Sequence, residues 1–480
     1  MKFWLVCWLF FVCNVFAVTP PSADEFYKGP DGFENQPLGT ILRWRETPYN
    51  LRSVYFPIKI KNSWDILVRS EDSHGNATAV VSTIIEPFNA DPKKLVAFNI
   101  AQDSSNFDCS PTYAIAEGAP VFDNIEAEFE FSLYAGAALL SEGYYVVTTS
   151  YETTADYKAA FVAGRLAGTN ILNSLKATLK TGEFTGLDNP DVVLWGYSGG
   201  ALATMWTTAM MHDYAPELMQ NVIGAAAGGL PSNVSTTLVA TDNTVFAGLV
   251  ANGVNGLMNE YPEIYNVVKE DMTQNDFDDF LQGQELCIAP SILHFAGANF
   301  FEEGGYFKSG LGFLEKPMIS EMLTENTLAI KDSEKPNIPV FIYHGKLDQI
   351  VPYVNSERVY DRWCELGVSS LEFATDVTLG HISGFAVGVP AAAAWIKNRF
   401  DGVAPVSGCK STLYFTLLQY PGASPALIDQ ITSFAGEYLG EQIGKREITN
   451  FEASLLQKAG LLSDTFLAKV IFAIWGKLLF

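Results

Sequence analysis

The chain has few cations and few histidines for its length. Its 480 residues include 30 Lys and Arg against 54 Asp and Glu, a net charge of −24, together with five His. A surface with this excess of negative charge repels nucleic acid and anionic lipid headgroups. We therefore expect no nucleic-acid partner, and we interpret the charge as a solubility device of an exported protein.

The apolar run near the N-terminus, residues 3–12, is too short to cross a bilayer. It follows Lys2 and leads to the small residue Ala17, and a polar stretch comes next at residues 19–25. A positive start, a short apolar core and a small residue before a break are typical of a secretory signal peptide. We expect residues 1–17 to be removed and the mature protein to be secreted into the extracellular space.

Cysteine is scarce, and no pair or Cys/His cluster has the spacing of a zinc site, so we expect no structural metal. Two of the six cysteines, Cys7 and Cys13, would leave with the signal peptide. An even number in an exported chain predicts two disulfides, with three pairings open. The four that remain are Cys109, Cys287, Cys364 and Cys409. Asn76 and Asn233, each in an Asn-x-Ser/Thr tripeptide, are predicted glycosylation acceptors.

Apolar strand-like segments alternate with helical ones over much of the chain. The turn at residues 73–76 joins two segments, 64–69 and 80–85, that are predicted to pair as strands. The other predicted elements are strands at residues 95–101, 144–149, 192–195, 338–343 and 371–373, and helices at residues 159–179, 201–209 and 390–400. This alternation predicts an α/β fold, with a mostly parallel sheet and helices on both faces.

The alternation weakens over residues 230–325, where small and apolar residues mix with acidic helical stretches. We interpret this part as an inserted, mainly helical cap that divides a core made of residues 18–229 and 326–445. Residues 24–60 are rich in turn formers and predict an irregular N-terminal arm. Residues 446–480 predict an apolar helical tail that is short for a membrane span. We expect it to pack on the body or to lie at an interface.

The strongest local motif is Gly196-Tyr197-Ser198-Gly199-Gly200, between a predicted strand and a predicted helix. A tight turn from strand to helix leaves no room for side chains at the flanking positions. Gly196 and Gly200, which have no side chain, meet this requirement. The turn exposes Ser198 beside the N–H groups of a helix N-terminus. A glycine-rich turn with a helix-capping serine has the same residues, but the strand–turn–helix context favours a nucleophile elbow.

A nucleophilic serine needs a basic histidine, oriented by a carboxylate, in the chain order Ser, acid, His. With five histidines, elimination is possible. His74 precedes the serine, and His212 lies on the helix after it. His294 falls in the predicted cap, and His344 ends a predicted strand and is interpreted as structural. His381, preceded by a glycine in a predicted loop, remains as the base.

The acid candidate is Asp348, which follows an apolar strand in a short Gly-x-x-Asp loop between Ser198 and His381. Two rivals are weaker. Asp361 lies in a helical stretch, and Asp376 is too close to the histidine along the chain to support it from a separate strand end. The position after the strand and the chain order favour Asp348.

An oxyanion hole needs two N–H donors, of which the residue after the nucleophile, Gly199, supplies one. The second donor is expected in the loop that follows the strand at residues 95–101. Gln102, Asp103 and Ser104 are all candidates there, and the pattern alone leaves the choice open.

Longer stretches between about residues 26 and 410 resemble one known family. They are Lys61-Asn62-Ser63-Trp64, Leu67-Val68-Arg69-Ser70-Glu71-Asp72-Ser73, Cys109-Ser110-Pro111-Thr112-Tyr113, Lys158-Ala159-Ala160-Phe161, Trp195-Gly196-Tyr197-Ser198-Gly199-Gly200, Asn259-Glu260-Tyr261-Pro262-Glu263, Tyr343-His344-Gly345-Lys346-Leu347-Asp348 and Val406-Ser407-Gly408-Cys409-Lys410. With them the chain resembles the fungal secretory lipases, the secreted lipases of Candida-type yeasts.

The resemblance implies an α/β-hydrolase core with a helical cap, hydrolysis of acylglycerols, and no metal or organic cofactor. The site residues that it implies are the catalytic Ser198, Asp348 and His381, the oxyanion-hole residues Asp103 and Gly199, and the disulfides Cys109–Cys287 and Cys364–Cys409. One departure is Gln102, where the family commonly has glutamate. We expect a monomer that meets its ester substrates at a lipid–water interface.

Two other functions share these motifs. An esterase or acyltransferase acting on smaller esters would use the same three residues. A hydrolase fold without activity would serve as a binding protein, and the intact serine, aspartate and histidine argue against it. Asp103 adds a physical expectation, because an ionised carboxylate beside an oxyanion would oppose catalysis. We therefore expect burial to keep it neutral and activity to persist into acid.

Overall fold

The computed structural model describes residues 18–53, 56–438 and 440–445. The predicted signal peptide, residues 1–17, and the predicted tail, residues 446–480, lie outside the described residues. Within the described ranges, no helix is both long enough and apolar enough to span a bilayer.

Ten strands in the described part of the chain form one sheet, and two short strands form a separate ribbon. The strands are β1 Ile41–Glu46, β2 Arg52–Ser53, β3 Phe56–Pro57, β4 Asn62–Glu71, β5 Ala77–Glu86, β6 Asp91–Asn99, β7 Tyr144–Thr149, β8 Asp191–Tyr197, β9 Val222–Gly228, β10 Val340–Gly345, β11 Ser370–Asp376 and β12 Gly408–Tyr414. The order across the sheet is β1-β4-β5-β7-β6-β8-β9-β10-β11-β12, and β2 pairs with β3.

The sheet is parallel from β7 across to β12 and antiparallel at the β1 edge. Every residue of β7, β10 and β11 is buried. Strands covered on both faces by helices are expected to be this uniformly buried. The prediction of a mostly parallel sheet with helices is confirmed.

Helices cover both faces of the sheet and fill the stretch between β9 and β10. The α-helices are α1 Pro111–Ala114, α2 Ile125–Glu130, α3 Gly164–Thr178, α4 Gly182–Thr185, α5 Gly199–Tyr214, α6 Val234–Thr241, α7 Gly248–Glu260, α8 Tyr265–Glu270, α9 Gln274–Phe280, α10 Ile288–His294, α11 Pro317–Glu325, α12 Val354–Glu365, α13 His381–Val387, α14 Val389–Phe400 and α15 Ala423–Tyr438. A π-helical segment, Phe131–Leu139, continues α2.

Short 3-10 helices occupy many of the connections. They are Glu25–Tyr27, Phe33–Asn35, Phe107–Cys109, Leu140–Glu142, Pro216–Gln220, Pro262–Ile264, Leu281–Gln284, Gly310–Phe313, Asp332–Glu334 and Leu417–Gln419. Residues 229–339, all of which the structure describes, contribute helices and no strand to the sheet. We call this stretch the cap segment, and it contains the predicted cap, residues 230–325.

Most predicted elements lie where the pattern placed them, and two differ. The helix predicted at residues 159–179 begins only at Gly164. Before it, Val162 has a φ of 64°, and the N–H of Ala160 donates to Glu152, so residues 159–163 form a turn rather than a helix. The arm at residues 24–60, predicted to be irregular, supplies β1, which pairs with β4 at the sheet edge.

Two disulfides tie the core to its connections. Cys109–Cys287 joins the loop after β6 to the cap segment, and Cys364–Cys409 joins the end of α12 to β12. These are the pairs that the resemblance implied. Cross-links of this kind act mainly by restricting the unfolded chain.

Candidate active site

Ser198 lies at the sharp turn between β8 and α5. Its φ of 50° is unfavourable for a side chain with a Cβ, and such strain is typical of a nucleophile elbow. The turn depends on the flanking glycines. A Cβ on Gly196 would lie 2.2 Å from the carbonyl oxygen of Gly200, and a Cβ on Gly200 would lie 1.9 Å from that of Asn99. No side chain fits at either position.

The structure brings Ser198, His381 and Asp348 into one hydrogen-bonded chain. His381 Nε2 lies 2.8 Å from Ser198 Oγ, and His381 Nδ1 lies 2.6 Å from Asp348 Oδ2. Ser198 and His381 each expose only 6% of their surface. The backbone of His381 is fixed as well, because its carbonyl accepts from the Tyr197 hydroxyl at 2.7 Å and its N–H donates to Gln349 at 3.1 Å.

His344 is a second histidine in contact with Asp348, although its place at the end of a strand predicted only a structural role. Its Nε2 lies 3.0 Å from Asp348 Oδ2 and 3.1 Å from the carbonyl oxygen of Val351, two acceptors, so this nitrogen carries the proton. Its Nδ1 lies 2.7 Å from the Ser356 hydroxyl. The position of His344 at the end of β10, four residues before Asp348, is the signal that could have indicated this contact.

The surroundings of Asp348 keep its carboxylate ionised. Burial by itself would raise the pKa of Asp348, but the charge of His381 and the hydrogen bonds from His344 and His381 hold it below its ordinary value. The N–H groups of Ile350 and Val351 also donate to Oδ1, at 3.0 and 2.7 Å. An acid in this state can orient a histidine and stabilise its charged form.

The two rival acids lie elsewhere. Asp376 is fully buried at the end of β11, where its carboxylate accepts from the N–H groups of Thr378, Leu379 and Leu417. It therefore shapes the loop that leads to His381 without contacting the imidazole. Asp361 lies on α12, as predicted.

The carboxyl group of Asp103 lies over the nucleophile elbow. A Cβ on Gly199 would be 2.2 Å from Asp103 Oδ1, so glycine at 199 allows this approach. Asp103 itself has a φ of 45° and is 5% exposed. The structure thus brings Asp103 and Gly199, the two residues implied for the oxyanion hole, next to Ser198. The Gln102 amide instead donates to the carbonyl of Asn106 at 3.2 Å and braces the same loop.

Acidic side chains with little access to water surround Asp103. Burial raises the pKa of Asp103 to about 7, against the charge of His381, which lowers it. Burial, reinforced by the nearby Asp103, also raises the pKa values of Glu126, Glu130 and Glu152 well above the ordinary range. One of these groups has a defined role, because Glu130 accepts from the N–H of Ala101 at 2.7 Å. The sequence predicted that burial keeps Asp103 neutral, but it did not indicate the three glutamates nearby.

Two apolar cavities open onto Ser198. The larger has a volume of about 400 Å³, and its wall includes Ile125, Phe246, Ile292 and Phe385. The smaller, about 30 Å³, is lined by residues of α6 and α7 and by Val162. Asp103 and Leu249 border both cavities. The larger cavity therefore offers an apolar space to a molecule held at Ser198.

The remaining predicted residues lie away from this centre. His74 contacts the carbonyl oxygen of Glu260, and His294 pairs with Asp279. Asn76 is exposed in the β4–β5 turn, whereas Asn233 caps α6 through a bond to Thr236. Across the described ranges, no group of three or more His, Cys, Asp or Glu side chains could hold a metal ion.

The comparisons with known proteins agree on one family. The family model described as secretory lipase matches residues 125–408. Lipase 1 of Candida albicans is 42% identical to this chain over 447 residues, and the match covers 92% of this chain and 94% of Lipase 1. Lipase A of Arthroderma benhamiae is 33% identical over 442 residues, and the match covers 89% of this chain and 90% of Lipase A. The chain belongs to the secretory lipase family.

The solved structures agree with this assignment. The closed-state crystal structure of Candida antarctica lipase A superposes on this secretory lipase with a TM-score of 0.76 at 26% identity, covering 89% of this chain and 99% of that one. The core is therefore that of an α/β hydrolase, and the protein is a carboxylic ester hydrolase of the lipase type. Membership of a secretory family and the two disulfides are consistent with export.

The buried carboxyl groups predict that this secretory lipase is more stable in weak acid than in weak base. Burial raises the pKa of Asp103 and Glu260 to about 7 and the pKa of Glu152 well above its ordinary value. Their stabilising contribution is complete below the unfolded value, roughly 4, and declines as pH rises through the folded value. Calorimetry should give a melting temperature several degrees lower at pH 8 than at pH 5.

Glu152→Gln is the matched variant, because it removes the ionisation with little change in shape. The difference in melting temperature between pH 5 and pH 8 should shrink in this variant. An equal or larger difference would mean that overall charge repulsion, and not these buried groups, causes the trend.

Proposed function

We propose that this secretory lipase hydrolyses triacylglycerols outside the cell, through an acyl-enzyme formed on Ser198. The observation that carries the proposal is the chain of hydrogen bonds from Ser198 through His381 to Asp348, placed beside two apolar cavities. Serine, histidine and aspartate in this contact are the groups that acyl transfer needs.

The geometry supports the following sequence of steps. Ser198 Oγ attacks the ester carbonyl while His381 Nε2 takes the hydroxyl proton, and Asp348 stabilises the imidazolium. The backbone N–H groups of Gly199 and Asp103 hold the oxyanion. His381 then gives the proton to the departing alcohol, which leaves Ser198 acylated. Water, deprotonated by His381, attacks the acyl carbonyl, and the fatty acid leaves with Ser198 restored.

The larger cavity favours an ester with a long apolar chain over a small ester. A triacylglycerol has an apolar chain on the acyl side of the scissile bond and two more on its alcohol side. The cavity of about 400 Å³ at Ser198 can take one of these chains, whereas the space of about 30 Å³ is too small for a chain. A small ester would leave most of this apolar surface uncovered, although the same three residues would hydrolyse it.

Three exposed apolar residues lie close in the chain to residues that line the larger cavity, and we propose that they form an apolar rim that contacts the lipid surface. The rim consists of Phe122, Val245 and Leu293, which are 53%, 61% and 68% exposed. Val245 and Leu293 are chain neighbours of Phe246 and Ile292, which line the cavity. Because the protein carries a net charge of −24, adsorption to lipid must rely on apolar contact.

Asn76 is the better supported of the two proposed glycosylation sites. It is exposed in the β4–β5 turn, and its Nδ2 donates to Asp72 in the same turn at 2.9 Å. Asn233 is half-buried at the N-terminus of α6, where its side-chain oxygen accepts from the N–H of Thr236, so a glycan on its Nδ2 has less access to solvent.

The first test of the proposed function is hydrolysis of p-nitrophenyl esters of increasing acyl length by wild type and Ser198→Ala. We expect turnover of long-chain esters, and we expect the variant to lose it by about 10⁴-fold or more because the nucleophile is gone. Short-chain turnover alone would favour the esterase alternative. Activity unchanged in Ser198→Ala would reject the mechanism.

The second test concerns the protonation state of Asp103. With a pKa of about 7, this carboxyl is neutral in acid and ionises as pH rises through neutrality, placing negative charge beside the oxyanion. The kcat/KM of wild type should therefore fall above pH 7, and Asp103→Asn should extend activity to higher pH. Asp108→Asn, in the same loop but half-buried, is the control and should keep the wild-type profile. An unchanged profile in Asp103→Asn would count against the idea.

The third test concerns the apolar rim. Leu293→Ser should reduce hydrolysis of emulsified triolein by about 10-fold, since a leucine buried in lipid contributes roughly 1.5–3 kcal/mol, and should leave hydrolysis of a dissolved short-chain ester unchanged. Val403→Ser is the matched control. Val403 is 51% exposed but precedes β12, at the opposite end of the parallel strands from Ser198. Equal losses in both variants would reject the rim as the lipid contact.

A further inference from the structure

The cap segment carries a row of buried asparagines along α7. Asn252, Asn255 and Asn259 follow one another at intervals of three and four residues, so they share one face of the helix. Asn252 and Asn255 are fully buried. A buried amide is costly unless it is hydrogen-bonded, and each of these side chains donates to a backbone carbonyl outside its own helix.

Asn252 reaches the oxyanion loop itself. Its Nδ2 donates to the carbonyl oxygen of Asp103 at 2.8 Å. Its Oδ1 accepts from the hydroxyl of Ser291 on α10 at 2.7 Å, which fixes the orientation of the amide. Ser291 is also fully buried. A chain of side-chain hydrogen bonds therefore runs from α10 through α7 to the backbone of Asp103.

The peptide that Asn252 holds is adjacent to the proposed oxyanion donor. Asp103 has a φ of 45°, a conformation that costs energy for a residue with a side chain and persists only where the surroundings enforce it. A hydrogen bond to the Asp103 carbonyl restricts rotation of the following peptide. It therefore limits how far the N–H of the same residue can turn away from Ser198.

The rest of the loop is anchored to the same part of the cap segment. Ser104 Oγ donates to the carbonyl of Leu286 at 3.0 Å, and Ser105 Oγ donates to that of Gly283 at 2.8 Å. Asn106 Nδ2 donates to Glu285 at 2.8 Å, and Cys109 is cross-linked to Cys287. These contacts set the position of the loop. Within the described cap segment, only Asn252 donates a hydrogen bond to the carbonyl of Asp103.

We propose that Asn252 is a positioning residue for the oxyanion hole, through which the cap segment aligns the N–H of Asp103. The proposal rests on the acyl-enzyme mechanism proposed above. It assigns the cap segment a part in the chemical step, in addition to covering the cavities. The effect should appear in the transition state, where the oxyanion forms, and not in binding of the ester.

Asn252→Ala tests the proposal against Asn255→Ala, a matched change one turn along the same helix. Asn255 is equally buried, but it donates to Phe280 within the cap segment. We expect Asn252→Ala to lower kcat by about 10- to 100-fold with KM changed less than two-fold, somewhat less than the loss of a whole oxyanion donor. Asn255→Ala should lower the melting temperature by a similar amount and keep the wild-type kcat.

Binding of an alkylboronic acid gives a second readout, since it forms a tetrahedral adduct on serine that mimics the oxyanion. Its inhibition constant should rise in Asn252→Ala in parallel with the loss of kcat/KM, and should not change in Asn255→Ala. If Asn252→Ala does not fold, Ser291→Ala takes its place, because it frees the Asn252 amide to rotate, and a kcat loss of about 3- to 10-fold is expected.

The outcomes separate this proposal from the function on which it rests. If wild type shows no hydrolysis that depends on Ser198, the proposed function fails. If that hydrolysis is present but Asn252→Ala keeps the wild-type kcat, or Asn255→Ala loses as much, Asn252 has only a structural role and the positioning proposal is wrong.

Discussion

The site depends on a close backbone approach between the N-terminus of α5 and the end of β6. Gly200 sits where a Cβ would be 1.9 Å from the carbonyl oxygen of Asn99, so the two segments approach more closely than any side chain permits. This contact draws the loop after β6 over the elbow and places Asp103 beside Gly199. Ser198 takes its strained conformation at the same turn. Ser198, the proposed nucleophile, and the loop proposed to hold the oxyanion are thus set in place by one packing constraint.

Around that turn, the surroundings of two aspartates shift their pKa values in opposite directions. Asp348 contacts two imidazoles and two backbone N–H groups, all of which favour its ionised form. The charged neighbours of the buried Asp103 are acidic side chains and one histidine, and burial raises its pKa to about 7, which favours the neutral form in acid. Pairs of carboxyl groups whose pKa values are driven apart commonly divide the roles in an active site. We propose the same division here, with Asp348 ionised to orient His381 and Asp103 neutral beside the oxyanion.

The sequence predicted the parts of the molecule that obey local rules. The elbow follows from glycine spacing between a strand and a helix, and the order of serine, aspartate and histidine allowed His381 and Asp348 to be selected. The second contact of Asp348, from His344, was missed because it depends on how the loop after β10 folds back. The turn before α3 was predicted to be helical because small apolar residues are compatible with a turn and with a helix. Edge strand β1 was missed because its pairing with β4 is a tertiary contact.

The sequence pattern could not predict the roles of the asparagines of α7 and the glutamates around Asp103, for a related reason. Their roles come from tertiary contacts: Asn252 on the cap segment contacts Asp103, 149 residues away in the chain, and Glu130 contacts Ala101, 29 residues away. A polar residue on a helix is normally exposed, and only the packed structure shows that these are buried and bonded.

We propose that only Ser198 becomes acylated, with His381 as its base. Peptide mapping by mass spectrometry after reaction with a p-nitrophenyl alkylphosphonate, which transfers a phosphonyl group to an activated serine, tests this proposal directly. We expect a single adduct per chain, on Ser198, and little labelling of His381→Ala under the same conditions. An adduct on another residue, or labelling that does not depend on His381, would contradict it.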